Sequence, residues 1–191
     1  MKLKINIWSS DSASFCWKPK NIDFKPHHLT ITVKHGGGFL NMWGCISYFG
    51  TGIGEHIKGS LNSNIYYNIL SSSLKNSFKK WKKSQKFFIF QQDNDPKHKS
   101  KLAQNWFKKE KITLLDWPSQ SPDLNPIENL WHELKLKLAS YQNKASSIEE
   151  LWDRCNKEWN DIKPEKCQDY INTMPKRIKA VIRNKGRITK Y

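Results

Sequence analysis

In the first seven residues, MKLKINI, apolar side chains alternate with polar ones. A period of two is typical of a strand with one buried face. From Leu29 to Gly59 the chain is rich in β-branched and aromatic residues that are interrupted by glycines, which predicts two or three strands joined by tight turns. Gly36–Gly38 fit such a turn, because the helix and Lys-Ser/Thr pair of a phosphate loop do not follow them. This part of the chain is therefore predicted to form a sheet.

The period then changes to that of a helix. Apolar residues at helical spacing predict a helix from Asn62 to Trp81 and another from Lys99 to Glu110. Two short runs, KFFIF (Lys86–Phe90) and ITLLDW (Ile112–Trp117), are too brief for helices and predict strands, the first of them buried. The order strand, helix, strand, helix, strand indicates an α/β fold. The predicted core positions of the two helices are Ile65, Ile69, Leu70, Leu74, Phe78, Leu102, Trp106 and Phe107.

Three prolines in PSQSPDLNP predict an irregular loop, and a helix is predicted to follow it. Asn125 is a candidate cap for this helix, and Pro126 suits its first position. We expect residues 1–140 to form one domain and residues 141–191 to form a C-terminal helical extension that packs on the same domain. The apolar stripe of the helix consists of Ile127, Leu130, Trp131, Leu134 and Leu138.

Two more helices are predicted in that extension. Ser147 followed by Glu150 is typical of a capping box. Pro164 suits the start of the last helix, whereas Pro175 predicts that this helix kinks or ends early. The residues predicted to face inward are Ile148, Leu151, Trp152, Cys155, Trp159, Cys167, Ile171, Met174, Ile178 and Val181.

The chain is strongly basic, with 33 Lys and Arg against 17 Asp and Glu and a net charge of +16. Such an excess favours a partner rich in phosphates, and nucleic acid is the leading candidate; the alternative is a lysine-rich surface that only maintains solubility. The run from Lys75 to Lys86 is predicted to contact DNA phosphates, because Trp81 interleaves its lysines. The alternative is a solvated helix end and linker. The run also matches, weakly, a nuclear import signal.

The sequence argues against a zinc site and a membrane span. The four cysteines are far apart and form no C-x-x-C pair, which predicts reduced and mostly buried thiols in an intracellular protein. No apolar run approaches the roughly 20 residues that a membrane helix needs. We therefore expect a protein that does not enter a membrane.

Two carboxylates occupy positions that suit a metal site. Asp93 follows the KFFIF strand, and ligands gather at the carboxyl ends of strands in open α/β sheets. Glu128 lies in the first turn of the helix after the proline-rich loop. Oxygen-only ligands suit Mg²⁺ or Mn²⁺, and two such ions support phosphodiester chemistry. The alternatives are a capping-box role for Glu128 and a turn role for Asp93.

Several motifs make the carboxylate interpretation more specific. The stretches FQQDNDPKHKS and LLDWPSQSPDLNPIENLWHELK resemble the catalytic core of the Tc/mariner superfamily of DDE transposases. Asp93, in QDN, then corresponds to the second catalytic carboxylate of that family, and Glu128, in NPIEN, to the third. The 34 residues between them are typical of the Tc-like branch. Further likeness in TVKHGGGFLNMWGCISYFGTG, SIEELWDRCNKEWNDI and MPKRIKAVIRNKGRITKY extends the resemblance over nearly the whole chain.

This resemblance implies an RNase H-like fold, in which a mixed sheet is flanked by helices. It implies that Asp93 and Glu128 are catalytic and bind Mg²⁺ or Mn²⁺. The implied reaction is cut-and-paste transposition: hydrolysis of the phosphodiester at the element ends, then transfer of the 3′-OH to a TA target. Double-stranded DNA, a homodimer and a nuclear location follow from the same likeness, and no small-molecule substrate is implied.

The sequence departs from the family pattern at its start. The first catalytic aspartate of the family ends the first strand in a run resembling SDE, and Met1 stands at that place here. Asp11 lies several residues farther along and is predicted to be a turn residue. A preceding helix-turn-helix region is also absent from the sequence. We therefore expect a catalytic domain with a truncated first strand, weakened metal binding and no significant transposition activity.

Other functions and other residues remain open from sequence alone. A non-catalytic DNA-binding or interaction module would show salt-sensitive DNA affinity that does not depend on Mg²⁺. An independent RNase H-like nuclease is disfavoured, because the motifs follow transposases. His98 suits either contact with a phosphate or the metal ligands, or a structural role. His132 lies one helical turn beyond Glu128, where it could orient that carboxylate.

Overall fold

The computed structural model describes residues 1–7, 38–118, 121–187 and 189. Its strands are β1 (Lys2–Asn6), β2 (Phe39–Trp43), β3 (Ile46–Ser47), β4 (Gly50–Thr51), β5 (Glu55–Ile57), β6 (Ile89–Phe90) and β7 (Thr113–Leu114). Its helices are α1 (Ser63–Ile69), α2 (Lys75–Lys80), α3 (Lys101–Lys109), α4 (Ile127–Ala139), α5 (Ile148–Asn160), α6 (Pro164–Asn172) and α7 (Met174–Arg183). The predicted Asp11 turn and Gly36–Gly37 lie outside the described residues.

Within the described residues, the strands form three short sheets. β1, β2 and β5 make an antiparallel sheet with β2 in the centre, and β3 pairs with β4 as a hairpin. β6 and β7 are parallel, because helix α3 crosses over between them. The alternation in MKLKINI is confirmed: Leu3, Ile5 and Ile7 are buried.

The helix predicted from Asn62 to Trp81 is continuous from α1 to α2. The Asn62 side chain caps it by accepting a hydrogen bond from the amide of Ile65 at 2.8 Å. A π-helical turn, Leu70–Leu74, joins α1 to α2 and was not predicted. Just beyond it, the hydroxyl of Ser77 accepts a bond from the amide of Ile53 at 2.8 Å and donates to the carbonyl of Ser73 at 2.7 Å. The helix is thus attached to the β4–β5 segment.

Apolar side chains form one core on each face of the first sheet. Because neighbouring strand residues point to opposite faces, Met42 faces α4 and α5 whereas Trp43 faces α1, α2 and α3. In the first core the rings of Trp131 and Trp159 stack at 4.7 Å, and the indole of Trp159 donates to the carbonyl of Gly52 at 2.9 Å. The described cysteines, Cys45, Cys155 and Cys167, are buried and reduced as predicted, whereas Cys16 lies outside the described residues.

The KFFIF prediction was wrong in extent and in burial. Only Ile89 and Phe90 are in the strand, and the side chains of Phe87 and Ile89 are 65% and 66% exposed. β6 pairs with β7 on one side, and a cleft lies on its other side. Leu102 and Ile178, predicted to face inward, are also exposed.

The C-terminal helices follow their predicted signals closely. The hydroxyl of Ser147 accepts a bond from the amide of Glu150 at 3.1 Å, as a capping box requires. The Glu150 carboxylate, however, accepts from the amide of Ser146 and not from that of Ser147. Pro164 opens α6, and a new helix, α7, starts at Met174 with Pro175 in its first turn. α5 and α6 share the first core with β1 and β2; the division at residue 140 stays a prediction.

Candidate active site

Asp93 lies in the loop that joins β6 to α3. One of its carboxylate oxygens, Oδ1, accepts a hydrogen bond from the amide of Asp95 at 3.3 Å. Asp95 in turn holds the loop, because its side chain accepts from the amide of Lys97 at 2.9 Å and its carbonyl from the amide of His98 at 2.9 Å. The side chain of Asn94 donates to the carbonyl of Trp117 at 2.8 Å, which attaches the loop to the segment after β7.

His98 is the closest side-chain partner of Asp93. Its Nδ1 lies 2.5 Å from Oδ1 of Asp93, and the histidine is only 2% exposed. This hydrogen bond is the main reason why the pKa of Asp93 is lowered from its usual value. Asp93 is therefore ionised at neutral pH. His98 is therefore a buried partner of Asp93 and not a solvated histidine, whereas its contact with a phosphate or a metal stays a prediction.

Glu128 lies in the first turn of α4, as predicted. No side chain caps the start of α4, so the predicted cap by Asn125 was wrong. Asn125 instead ends a 3₁₀ turn, Pro122–Leu124, and its amide donates to the carbonyl of Pro122 at 2.8 Å. Burial, together with the negative charge of Asp93, raises the pKa of Glu128. A capping-box role for Glu128 therefore has no support in the described bonds.

Asp93 and Glu128 lie close enough for their charges to interact. Both charges also act on the ammonium group of Met1, which is buried and donates to the carbonyl of Gly44 at 3.0 Å. Burial lowers the pKa of that ammonium group, whereas the negative charges of Asp93 and Glu128 oppose this shift. The structure thus brings together the two carboxylates that the sequence singles out. Their catalytic role stays a prediction.

The arrangement suits a hard divalent cation only in part. Among the described residues, Asp93 Oδ2 accepts no hydrogen bond, which leaves it available to a ligand. Carboxylate oxygens are the ligands that Mg²⁺ and Mn²⁺ prefer. However, no group of three or more His, Cys, Asp or Glu side chains that could hold a metal occurs in the described part of the chain. Asp93 and Glu128 therefore fit as two of the ligands of such a site.

His132 does not orient Glu128. It is exposed on α4, and no hydrogen bond joins it to Glu128 in the described structure. The residue that organises this region is Arg177, which sequence reasoning missed. Arg177 is 1% exposed, and its guanidinium donates to the carbonyl of Asp123 at 2.8 Å and to the side chain of Asn129 at 2.6 Å. It thereby attaches α7 to the turn and the helix that carry Glu128.

An apolar cleft of about 320 Å³ lies beside the carboxylates. One wall is the segment 44–49, and the other is the segment 87–91, which includes β6. Met1 also lines the cleft, close to Ile127 at the start of α4. The cleft therefore lies between the segment that contains β3 and the segment that contains β6.

A lysine-rich groove is formed mainly by residues that precede β6 in the chain, whereas Asp93 comes just after β6. The amine of Lys83 lies 5.0 Å from the centre of the Phe49 ring and 5.8 Å from that of Phe87. One acidic residue, Glu110, lines the groove and pairs with Lys75 at 2.6 Å. The groove lysines are Lys75, Lys79, Lys82, Lys83 and Lys86.

Comparison with known proteins agrees with these features. A family model described as DDE superfamily endonuclease matches residues 17–152, which include Asp93 and Glu128. The transposable element Tcb1 transposase of Caenorhabditis briggsae is 38% identical over 190 residues, which cover 98% of this chain and 67% of the relative. The Tc1 transposase of Caenorhabditis elegans is 37% identical with the same coverage. The chain thus spans about two thirds of the length of these relatives.

Solved structures show the same fold. The Mos1 mariner paired-end complex with Mn matches all of this chain and 55% of its own chain, with a TM-score of 0.82 and 17% identity. The Mos1 catalytic domain with raltegravir and Mg matches 80% of this chain and 78% of its own, with a TM-score of 0.70 and 19% identity. The predicted RNase H-like α/β fold is therefore confirmed. No helix of the described residues is long and apolar enough to cross a membrane.

Proposed function

The chain belongs to the Tc/mariner superfamily of DDE transposases, and from this membership we propose that it is the catalytic domain of a DNA-cutting and DNA-joining enzyme. The full reaction is cut-and-paste transposition: hydrolysis at the ends of a transposable element, then transfer of the freed 3′-OH to a TA target. Double-stranded DNA is the proposed substrate and partner. The Mos1 structures with this fold include a paired-end complex with the left transposon end, a strand transfer complex, and catalytic domains with Mg or Mn.

The observation that carries this proposal is the convergence of Asp93 and Glu128. The two residues come from different elements and are distant in the chain, yet the charge of Asp93 raises the pKa of Glu128. Two like charges in partly buried positions destabilise each other unless a cation lies between them. Mg²⁺ or Mn²⁺, held by Asp93 and Glu128, would supply the positive charge that activates an attacking oxygen and stabilises a leaving one.

The residues of this chain have separate tasks in the proposed reaction. Asp93, ionised at neutral pH, offers its free Oδ2 as a ligand. Burial raises the pKa of Glu128, so its ionised form is less favourable than usual, and a bound cation would offset that cost. A water molecule and then the 3′-OH of the element would be the nucleophiles, so no covalent link between protein and DNA is required.

We propose that a chain of these 191 residues cleaves DNA poorly. Asp93 and Glu128 fit as two ligands, but no group of three or more His, Cys, Asp or Glu side chains that could hold a metal occurs in the described part of the chain. Two carboxylates hold a pair of divalent cations less firmly than three. We therefore expect weakened metal binding and no significant transposition. End cleavage with Mg²⁺ that disappears in Asp93→Ala would contradict this part of the proposal.

The metal site is tested by titrating Mn²⁺ into the protein and following the relaxation rate of water protons. We expect wild-type protein to enhance relaxation, and Asp93→Asn and Glu128→Gln to lose most of that enhancement. Asp116→Asn is the matched control, because Asp116 is an exposed carboxylate just after β7. Equal Mn²⁺ binding by wild type, Asp93→Asn and Glu128→Gln would overturn the assignment of the site.

A non-catalytic DNA-binding module is the second candidate, and the lysine-rich groove is the observation that favours it. Its DNA affinity would fall with salt but would not respond to Mg²⁺. Affinity that changes with Mg²⁺ in wild type and not in Asp93→Asn would exclude this candidate. In either case we propose that the protein acts in the nucleus, where genomic DNA lies, and that it works as a homodimer.

A further inference from the structure

We propose that His98 is a positioning residue that fixes the carboxylate of Asp93, so that one oxygen is held by the protein and the other is presented to a divalent cation. This inference rests on the proposed function of Asp93. It goes beyond that function because it assigns the orientation of the carboxylate to a particular histidine nitrogen.

The imidazole of His98 is held from several sides. Its ring lies 4.3 Å from the ring of Tyr66, centre to centre. The hydroxyl of Tyr66 donates to the side chain of Gln92 at 2.6 Å, and the amide of that side chain donates to the carbonyl of His98 at 3.3 Å. Tyr66 lies on α1, so a helix of the second core, and not the loop alone, sets the position of the ring.

The surroundings of the two ring nitrogens of His98 indicate which of them carries the proton. Nε2 of His98 is buried and has no partner in the described structure, whereas Nδ1 faces an ionised carboxylate. A buried N–H without an acceptor loses its hydrogen bond to water and gains none in return, but a bare ring nitrogen leaves no donor unsatisfied. In neutral His98 the proton therefore belongs on Nδ1, which donates to Oδ1 of Asp93.

This bond gives the two carboxylate oxygens of Asp93 different roles. Oδ1 accepts from the ring of His98 and from the amide of Asp95, whereas Oδ2 has no hydrogen bond in the described structure. A carboxylate held through one oxygen cannot rotate freely, so the other oxygen keeps a fixed direction. Partners of this kind orient metal ligands in other proteins, and their loss typically weakens metal binding about 10- to 100-fold.

A purely structural role for His98 explains less. The turn from Asp95 to Lys99 is already closed by its main chain, since the amides of His98 and Lys99 donate to the carbonyl of Asp95 at 2.9 and 3.2 Å. The shape of the loop therefore does not require the imidazole. An apolar residue of similar size would pack against Tyr66 equally well, and it would also remove the unpartnered Nε2.

The first test is long-range ¹H–¹⁵N NMR of the metal-free protein at pH 8. We expect His98 to carry its proton on Nδ1 with Nε2 bare, and we expect the Nδ1 signal to shift in Asp93→Asn. A proton on Nε2 with a bare Nδ1 would overturn the proposal. This measurement needs neither metal nor DNA, so it is independent of the proposed function.

The second test compares three variants in the Mn²⁺ titration. His98→Leu should weaken Mn²⁺ binding about 10- to 100-fold without lowering the melting temperature in proportion. His98→Asn places an amide donor near the position of Nδ1 and should retain most of the affinity. His98→Gln places its donor near Nε2 and should not. His132→Leu, an exposed histidine on α4, is the control and should match wild type.

The outcomes separate the two proposals. If wild type binds no Mn²⁺, the proposed function fails, and the NMR result still decides whether His98 donates to Asp93. If wild type and His98→Leu bind Mn²⁺ equally, the proposed function stands and the role of His98 is wrong. The role is also wrong if His98→Asn and His98→Gln weaken Mn²⁺ binding to the same extent, because the effect of a positioning donor depends on where the donor lies.

Discussion

Glu128 is a carboxylate in an unfavourable place. Burial is the larger cause of its raised pKa, and the charge of Asp93 adds to it, although the ammonium group of Met1 acts in the opposite direction. Such strain is common where proteins bind cations or carry out acid-base chemistry. Removing the charge of Glu128 should therefore change the free energy of unfolding.

Glu128→Gln is expected to raise the melting temperature at pH 7.5. The folded-state pKa of Glu128 lies above its usual value of 4.5, so the cost of its charge is absent below pH 4.5 and grows as the pH rises through the folded pKa. The gain should therefore shrink toward pH 4. Thermal unfolding at several pH values measures it, with exposed Glu165→Gln as the control. A variant no more stable than wild type at pH 7.5 would show that the charge carries no cost.

Sequence could identify the two carboxylates but not the residues that hold them. Asp93 and Glu128 stand at a strand end and a helix start, where pattern and resemblance agree. Arg177 is different, because a basic residue on a lysine-rich helix is expected to be exposed. Its acceptors, Asp123 and Asn129, lie about 50 residues earlier in the chain and are brought to it only by folding.

At the scale of elements, Arg177 connects α7 to the start of α4. Its guanidinium also donates to the hydroxyl of Thr173 at 2.6 Å, so bonds to at least three residues depend on one buried side chain. The carbonyl of Asp123 and the side-chain oxygen Oδ1 of Asn129 accept two of these bonds, which hold the turn before Glu128 against α7. Loss of the side chain would leave these groups without their partner.

Arg177→Ala is expected to lower the free energy of unfolding by about 2 kcal/mol or more, since each buried partner left unsatisfied costs roughly 1–3 kcal/mol. Urea denaturation measures the loss. Arg183→Ala removes an exposed arginine from the same helix and should change stability by less than about 0.5 kcal/mol. Equal losses in the two variants would mean that the bonds of Arg177 do not stabilise the fold.

Helices and strands were predictable where the residues that determine them lie close together in sequence. The capped start of α5 and the proline at the start of α6 were predicted correctly, because caps depend on local bonds. KFFIF failed because the burial of a strand depends on what lies beside it. Four apolar residues in a row cannot show that Ile89 faces a cleft.

At the scale of the whole molecule, part of the net charge of +16 is concentrated in the lysine-rich groove. The groove lysines stand together with exposed Phe87, an arrangement that suits a nucleic-acid backbone. The fold itself was predictable from motifs that span nearly the whole chain. The separation of its strands into three short sheets was not, since strand pairing is a long-range property.

Replacing Lys79, Lys82, Lys83 and Lys86 with Gln is expected to weaken binding to duplex DNA and to reduce its salt dependence. Each lost phosphate contact should lower the slope of log K against log salt by about 0.9. Fluorescence anisotropy between 50 and 200 mM salt measures both effects. A matched variant replaces exposed lysines on the C-terminal helices and their connections, Lys157, Lys163, Lys176 and Lys179. Identical slopes for the two variants would mean that the groove has no special part in DNA binding.

The cleft between segments 44–49 and 87–91 has a consequence for how the protein behaves in concentrated solution. The apolar walls of the cleft and the edge of β6 that pairs with no described strand are expected to make copies of the same chain associate. At low ionic strength the large positive charge keeps the copies apart, but at physiological salt this repulsion extends only about 8 Å. Adding salt should therefore shift the protein from a well-dispersed colloid toward precipitation, the reverse of ordinary salting-in.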